Sequence, residues 1–320
     1  MKGSPMLLAA GLATMWFGAA VAQDLNIPRP ADELERELAT EPFRIESAAI
    51  SRPKAKGDIT LKAEVSFAKD PPYRVKLRRA DPGAEDFNNR PRYDLAAYVL
   101  QKTFLEPAEY VVPPTALRMM PLSELRPWSP EARPTFKGSD DVLVVLQYWL
   151  HEVTVIADVL DRERFDADAV YARHIGQLNA FTRLIEHGDS NTGNFLISSA
   201  GQGARVFSID NGVAFAFNES DRGHLWKVMR VDRLPADTVA RLRAVTEDEL
   251  QRRLGVLAQW RLQDGRWVAE APGARLGTGR GVRQSDGVVQ LGLTENEIAD
   301  VWRQVGRLLK DVDSGKVRTF

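Results

Sequence analysis

The chain has 320 residues, 43 Lys and Arg against 44 Asp and Glu, and no cysteine. That length suits one large or two medium domains. The charge balance gives no support for a nucleic-acid or anionic-membrane partner, and the lack of cysteine excludes disulfide staples, a thiol nucleophile and thiolate zinc sites.

Met1-Lys2 and the apolar run Met6 to Ala22 have the form of a secretory signal, with Ala20-Val21-Ala22 as the small-x-small cleavage site before Gln23. Export to the periplasm or the exterior is therefore expected, with cleavage after Ala22 and no transmembrane helix in the mature chain. The other reading of the run is an uncleaved anchor. Residues 23–42, with Pro28 and Pro30, read as a polar linker. Phe43 to Ser51 and Ile59 to Phe67 read as strands around the turn Arg52 to Asp58, and Lys69-Asp-Pro-Pro72 turns the chain into a third strand, Tyr73 to Arg79. These three form an antiparallel meander.

Pro91 stands near the start of a helix, Tyr93 to Phe104, with Leu95, Tyr98 and Val99 on its apolar stripe. Val111-Val-Pro-Pro114 opens an extended segment, Met120 to Gly138 reads as a Pro-rich surface insertion, and Asp141 to Tyr148 is apolar enough to be a strand buried on both faces. Helical periodicity then takes over. Asp166 to Glu186 carries Tyr171, Ile175, Leu178, Phe181, Leu184 and Ile185 at helical spacing; Leu234-Pro235 opens a helix, and Thr246-x-x-Glu249 and Thr294-x-x-Glu297 cap two more, the last running to about Val312. Trp260 to Trp267 reads as a hairpin turning at Asp264-Gly265, and Gly273 to Gly287 is a glycine-rich low-complexity stretch. The expected class is α+β: a small β-rich lobe over residues 43–150 on a larger helical lobe over residues 151–320.

Chemistry concentrates in His187-Gly188-Asp189 with Asn194, followed by Asp210-Asn211-Gly212. The pattern is His-x-Asp-x4-Asn and then, after one hairpin, Asp-x-Gly. Phosphoryl transfer needs an Asp at the acceptor hydroxyl, an Asn five residues on that turns back to a metal ion, and a second Asp holding the metal on the nucleotide phosphates. Taken singly, Asp189 reads as a turn carboxylate and Asn194 as a turn residue; in this order they read as catalytic Asp189 with metal ligands Asn194 and Asp210. His187 orders the loop, and no His-x-x-x-His or Glu-x-x-His pair suggests zinc.

In such enzymes a third-strand Lys binds the phosphates and is held by a carboxylate on the next helix, roles open to Lys76 and Asp94. Arg74 and Arg78 share the face of Lys76 under period-2 alternation, so either could share its role. The Arg52 to Asp58 turn is a poor glycine-rich phosphate loop, with only Gly57; Lys54 and Lys56 are candidate phosphate contacts there. Gly277-Thr-Gly-Arg-Gly281 follows no strand and opens no helix, which favours a plain loop over a phosphate cradle.

The order Lys76, Tyr93-Asp94-Leu-Ala-Ala-Tyr98, Val111-Val-Pro-Pro114, His187-Gly-Asp189 and Ile209-Asp210-Asn211-Gly212-x-x-Phe215 resembles the atypical kinase branch with Asp-Asn-Gly in place of Asp-Phe-Gly. That branch includes the secreted Golgi casein kinase and four-jointed-like family and, more distantly, the type II phosphatidylinositol 4-kinases and HipA-like kinases. The resemblance covers roughly Phe43 to Phe217. It implies a bilobal protein-kinase-like fold, ATP with Mg2+ or Mn2+ as cofactors, catalytic Asp189, metal ligands Asp210 and Asn194, and Lys76 with Asp94 as the nucleotide-positioning pair. The usual helix carboxylate is Glu, so Asp94 requires a closer helix. The function it implies is transfer of the ATP γ-phosphate to a protein or small hydroxylated acceptor. The alternatives are a kinase-fold scaffold or regulator without activity and, third, nucleotidyl transfer.

Overall fold

Alternation of apolar and polar residues builds the first part of the molecule. A computed structural model describes residues 25–51, 60–68, 70–86, 90–155, 160–199, 205–215, 223–277 and 279–320. The signal-like run, the whole Arg52 to Asp58 turn with Lys54 and Lys56, and Thr278 lie outside the described residues. Helix α1 (Ala31–Thr40) is followed by strands β1 (Phe43–Ser51), β2 (Thr60–Phe67) and β3 (Tyr73–Arg79), helix α2 (Pro91–Gln101), strand β4 (Thr115–Pro121), the short helix α3 (Leu122–Leu125) and strand β5 (Asp141–Tyr148). The strands form one antiparallel sheet in the order β1-β2-β3-β5-β4.

One face of this sheet, with Leu61, Val65, Leu77 and Leu146, packs on Leu34 and Leu38 of α1. Residues 31–40 are thus not linker: the i, i+4 pair of leucines gives that segment an apolar face to bury. The other face, through Leu117, Leu143 and Val145, joins the core built with α2 and the later helices. The Pro-rich insertion is not purely superficial either. Leu122, Leu125 and Ala132 close the first core, and Phe136 enters the second, edge-on to Trp267 at 6.3 Å. β5 is buried along its whole length, as its continuous apolar sequence requires.

The second part runs β6 (Val153–Val155), α4 (Arg162–Ala167), α5 (Ala169–Ile185), β7 (Asp189–Ser190), β8 (Phe195–Ser198), β9 (Val206–Ser208), β10 (Gly223–His224), α6 (Leu225–Val228), β11 (Arg233–Leu234), α7 (Ala236–Ala244), α8 (Glu247–Leu254), β12 (Ala258–Gln263), β13 (Arg266–Glu270), β14 (Val282–Ser285), β15 (Val288–Leu291), α9 (Glu295–Asp313) and β16 (Arg318–Thr319). The helix expected from Asp166 begins at Ala169, because the Asp168 carboxylate accepts the N–H groups of Val170 and Tyr171 and caps a new helix there. β6, β8 and β9 form a small antiparallel sheet. Two short parallel pairings, β7 with β10 and β11 with β16, complete this part.

β12 to β15 make a four-stranded antiparallel sheet in the order β13-β12-β15-β14. Its hairpins turn at Asp264-Gly265 (φ +48° and +77°) and Asp286-Gly287 (φ +47° and +71°), both left-handed as a two-residue type I′ turn demands. The region 273–287 is therefore not loop alone: residues 282–285 are a strand. Asp141, fully buried, ties the two sheets together by accepting from Trp267 N–H at 2.8 Å, Arg266 Nε at 2.7 Å and Ser139 Oγ at 2.7 Å.

α9 starts with the Thr294–Glu297 capping box. Glu297 also pairs with Arg92 of α2, which lies buried between them. Among the described residues no helix is long and apolar enough to cross a membrane. The class is mixed α and β with antiparallel sheets.

Candidate functional site

The loop 187–194 is delivered by α5, whose last turn closes on Glu186 in the left-handed region. Backbone hydrogen bonds stitch this loop to the segment 209–215. Gly188 N–H donates to Val213 O at 3.0 Å, Ile209 N–H to Asn194 O at 3.0 Å, and Phe215 N–H to Ile185 O at 2.8 Å. The β8–β9 hairpin, in register from Phe195↔Ser208 to Ile197↔Val206, sets the distance along the chain between the two loops.

Inside the loop, Asn194 is buried and its Nδ2 donates to the Asp189 carbonyl at 2.7 Å, which leaves Oδ1 as the atom able to meet a metal. Asn191 Nδ2 donates to the Asp189 carbonyl and to its carboxylate Oδ1, at 3.1 and 3.0 Å. His187 is fully buried, edge-on to Phe195, with Nδ1 accepting from Asp189 N–H at 3.4 Å. Burial holds its pKa below the usual histidine value, against the opposing charges of Asp189 and Asp210, so the ring is neutral. Both carboxylates therefore act on one imidazole.

Asp210 sits at φ +58°, a conformation Asp tolerates better than most residues but still a strained one. Ser208 Oγ donates to Asn211 Oδ1 at 2.9 Å and fixes the turn after it. Lys76 of β3 reaches down to form an ion pair with Asp210; the Lys76 side chain is 12% exposed and that of Asp210 41%. Asp94 is held instead by Arg78, two residues along the same strand face, in an ion pair exposed by only 6% and 1%. The expected Lys76–Asp94 partnership is thus replaced by two pairs, Lys76–Asp210 and Arg78–Asp94. The shorter carboxylate on α2 meets the longer side chain of Arg78.

Gly212 lies directly beneath the second pair. A Cβ there would stand 2.7 Å from Arg78 Nη2 and 3.2 Å from Asp94 Oδ2, so only glycine lets the 211–213 turn pack against α2. Arg78, Asn191 and Gly212 are the structural members of the site that spacing alone did not assign. Gly212 was marked by its place in Asp-x-Gly; nothing local distinguished Arg78 from Arg74.

The groups offered by these two loops and β3 are two carboxylates, an amide oxygen and an ammonium, of which Lys76 and Asp210 are in contact. Oxygen donors of this kind suit a hard divalent cation such as Mg2+ or Mn2+, and the ammonium suits a phosphate. Among the described residues, the one grouping of three acidic side chains close enough to share a metal is elsewhere, at Glu33, Glu37 and Asp70, and Arg29 already bonds to all three. A scan against protein-family models and a search of curated proteins both found no match for the chain.

Proposed function

We propose that the protein is an exported, metal-assisted phosphotransferase with a bilobal kinase-like architecture, moving the γ-phosphate of ATP to a protein or small hydroxylated acceptor. The observation that carries this reading is the ion pair between Lys76 and Asp210, which links the sheet to the Asp-Asn-Gly turn beside the Asp189 loop. In this reading Lys76 is the phosphate ligand, Asp210 and Asn194 Oδ1 hold Mg2+ or Mn2+, and Asp189 orients the acceptor hydroxyl and takes its proton. Bound ATP and metal would supply the transferable phosphoryl group and the charge neutralisation. The chain's own residues supply position: His187 and Asn191 fix the Asp189 loop, and the Arg78–Asp94 pair fixes α2 over Gly212.

A second reading, nucleotide binding without transfer, is favoured by the engagement of Asp94 with Arg78 rather than with Lys76. Incubation of the purified protein with ATP and either metal separates the possibilities. ADP release with labelled acceptor supports γ-phosphate transfer, AMP release supports nucleotidyl transfer, and thermal stabilisation without product supports the binding-only reading. No stabilisation by ATP with either metal would defeat all three.

A further inference from the structure

A cavity of about 870 Å³ opens between the N-terminal ends of α2 and α9 and residues 276, 277 and 279–285, and none of Lys76, Asp94, Asp189, Asn194 or Asp210 lines it. Three arginines do: Arg92, Arg280 and Arg283. Arg92 is balanced by Glu85 and Glu297. Arg283 is only 6% exposed, yet its Nη1 and Nη2 donate to main-chain carbonyls, of Arg280 at 3.3 Å and Gly255 at 2.6 Å, and its Nε has no partner. Among the described residues, no carboxylate pairs with Arg283 or with the exposed Arg280. Neighbouring Arg275 brings its own counter-charge, Glu295. The carboxylates nearby, Glu85 on the same wall and Glu297, are both ion-paired with Arg92, so the wall holds two guanidinium groups with no ion-pair partner among the described residues, one of them out of water, an arrangement that is costly unless something else supplies the charge.

The backbone of the same wall is bare. Gly277 (φ +65°) and Gly279 (φ +81°) have no atom within 4 Å of where a Cβ would stand. Gly281 is glycine for a different reason: a Cβ would overlap the Arg92 guanidinium. Burial, and then the charges of Arg275 and Arg92, push the Arg283 pKa down to about 10, the direction expected of a cation awaiting an anion.

We propose that this cavity binds a phosphate-bearing small molecule, held by Arg280 and Arg283 over the bare backbone of Gly277 and Gly279. Guanidinium forks match the paired oxygens of a phosphate, and two uncompensated positive charges suit a group of charge near −2 better than a carboxylate of −1. The inference is independent of the phosphotransferase reading, because no residue is shared between the two sites.

The test is calorimetric titration of inorganic phosphate into the purified protein at constant ionic strength, with acetate as the carboxylate probe. Wild type is expected to bind phosphate saturably and acetate at least about tenfold more weakly, and Arg280→Ala, an exposed change, to weaken phosphate by at least about tenfold. Lys316→Ala, an exposed change outside the cavity lining, should leave phosphate binding unchanged. Arg283→Gln should lose the phosphate heat while melting, without phosphate, no lower than wild type. Equal binding of acetate, wild-type affinity in Arg280→Ala, or absence of saturable heat would overturn the proposal. Co-sedimentation of the protein with phosphatidic acid vesicles in place of soluble phosphate binding would overturn the small-molecule assignment.

Discussion

At the scale of single residues, Asp189 and Asp210 are expected to separate binding from turnover. Asp210→Ala should abolish metal-dependent ATP binding and product release together, since it removes the metal carboxylate and its ion pair with Lys76. Asp189→Ala should lower turnover by about 10²- to 10⁴-fold, the usual weight of a general base, while ATP with metal still raises the melting temperature. Thermal shift and product release measured on both variants check this, and equal loss of binding in the two would break the assignment.

Gly212→Ala drives a methyl into the Arg78–Asp94 pair and should cost about 1–3 kcal/mol in denaturant unfolding. Asp94→Ala removes the buried ion-pair partner of Arg78 and should cost more, about 3–5 kcal/mol. The spacing of Asp189, Asn194 and Asp210 made these residues legible because their order along the chain is itself the chemical requirement. The partner of Asp94 was not legible. Period-2 alternation tells which face Arg74, Lys76 and Arg78 share, but not which of them an α2 carboxylate lies beneath.

At the scale of elements, α5 carries a titratable weakness. His174 is pushed down to about 4, first by burial and then by Arg205 and Arg173, with Glu109 and Gln177 opposing. Above about 6.5 the histidine is neutral in both folded and unfolded chains; between about 6.5 and 4 the unfolded chain takes up a proton that the fold refuses. Stability should therefore fall with acidification across that window, by up to about 1.4 kcal/mol per pH unit for this group. Glu109, Asp237 and Glu297 are held below the usual carboxylate range, so their loss belongs to lower pH. Urea unfolding at several pH values, compared with His174→Gln, checks this; a profile unchanged by the substitution would reject it.

The strands and the long helices were readable because burial imposes a period of 2 or of about 3.6. Two elements were hidden by composition. The prolines and charges of residues 120–138 mask the few anchors, Leu122, Leu125 and Phe136, that bury it. Glycine and arginine around 273–287 mask a hairpin whose Asp286-Gly287 turn repeats the Asp264-Gly265 signal that was read correctly. α1 was missed because two leucines in a highly charged segment look like linker until a sheet face is available to cover them.

At the scale of the whole molecule, Asp141 is the joint between the two larger sheets. Asp141→Ala removes the acceptor for Trp267 N–H, Arg266 and Ser139 at once, leaves the Trp267 N–H unsatisfied while the exposed Arg266 returns to water, and should cost about 1–3 kcal/mol, with loss of the coupling between sheets. Unfolding followed separately by far-ultraviolet dichroism and by fluorescence, in a background where Trp267 is the single tryptophan kept of the seven, should then give two midpoints where the same background with Asp141 gives one. The proposal of export is checked by mass spectrometry of the chain in the cytosol and outside it, with Gln23 expected as the first residue of the exported form and recovery of the intact Met1 form from the cytosol rejecting it.

Arg92 and Glu297 stand 205 positions apart in sequence, yet their pairing seats the helix that carries Asp94. A chain emerging from a ribosome therefore makes its meander and α2 long before the second carboxylate of Arg92 exists. Until residue 297 is available, Glu85 balances Arg92 and the Arg78–Asp94 pair holds α2 over the Gly212 turn. The order of synthesis thus leaves the seam between α2 and α9 until last, and a chain cut short before α9 should keep the ion pairs of the candidate site while carrying α2 on a looser seat.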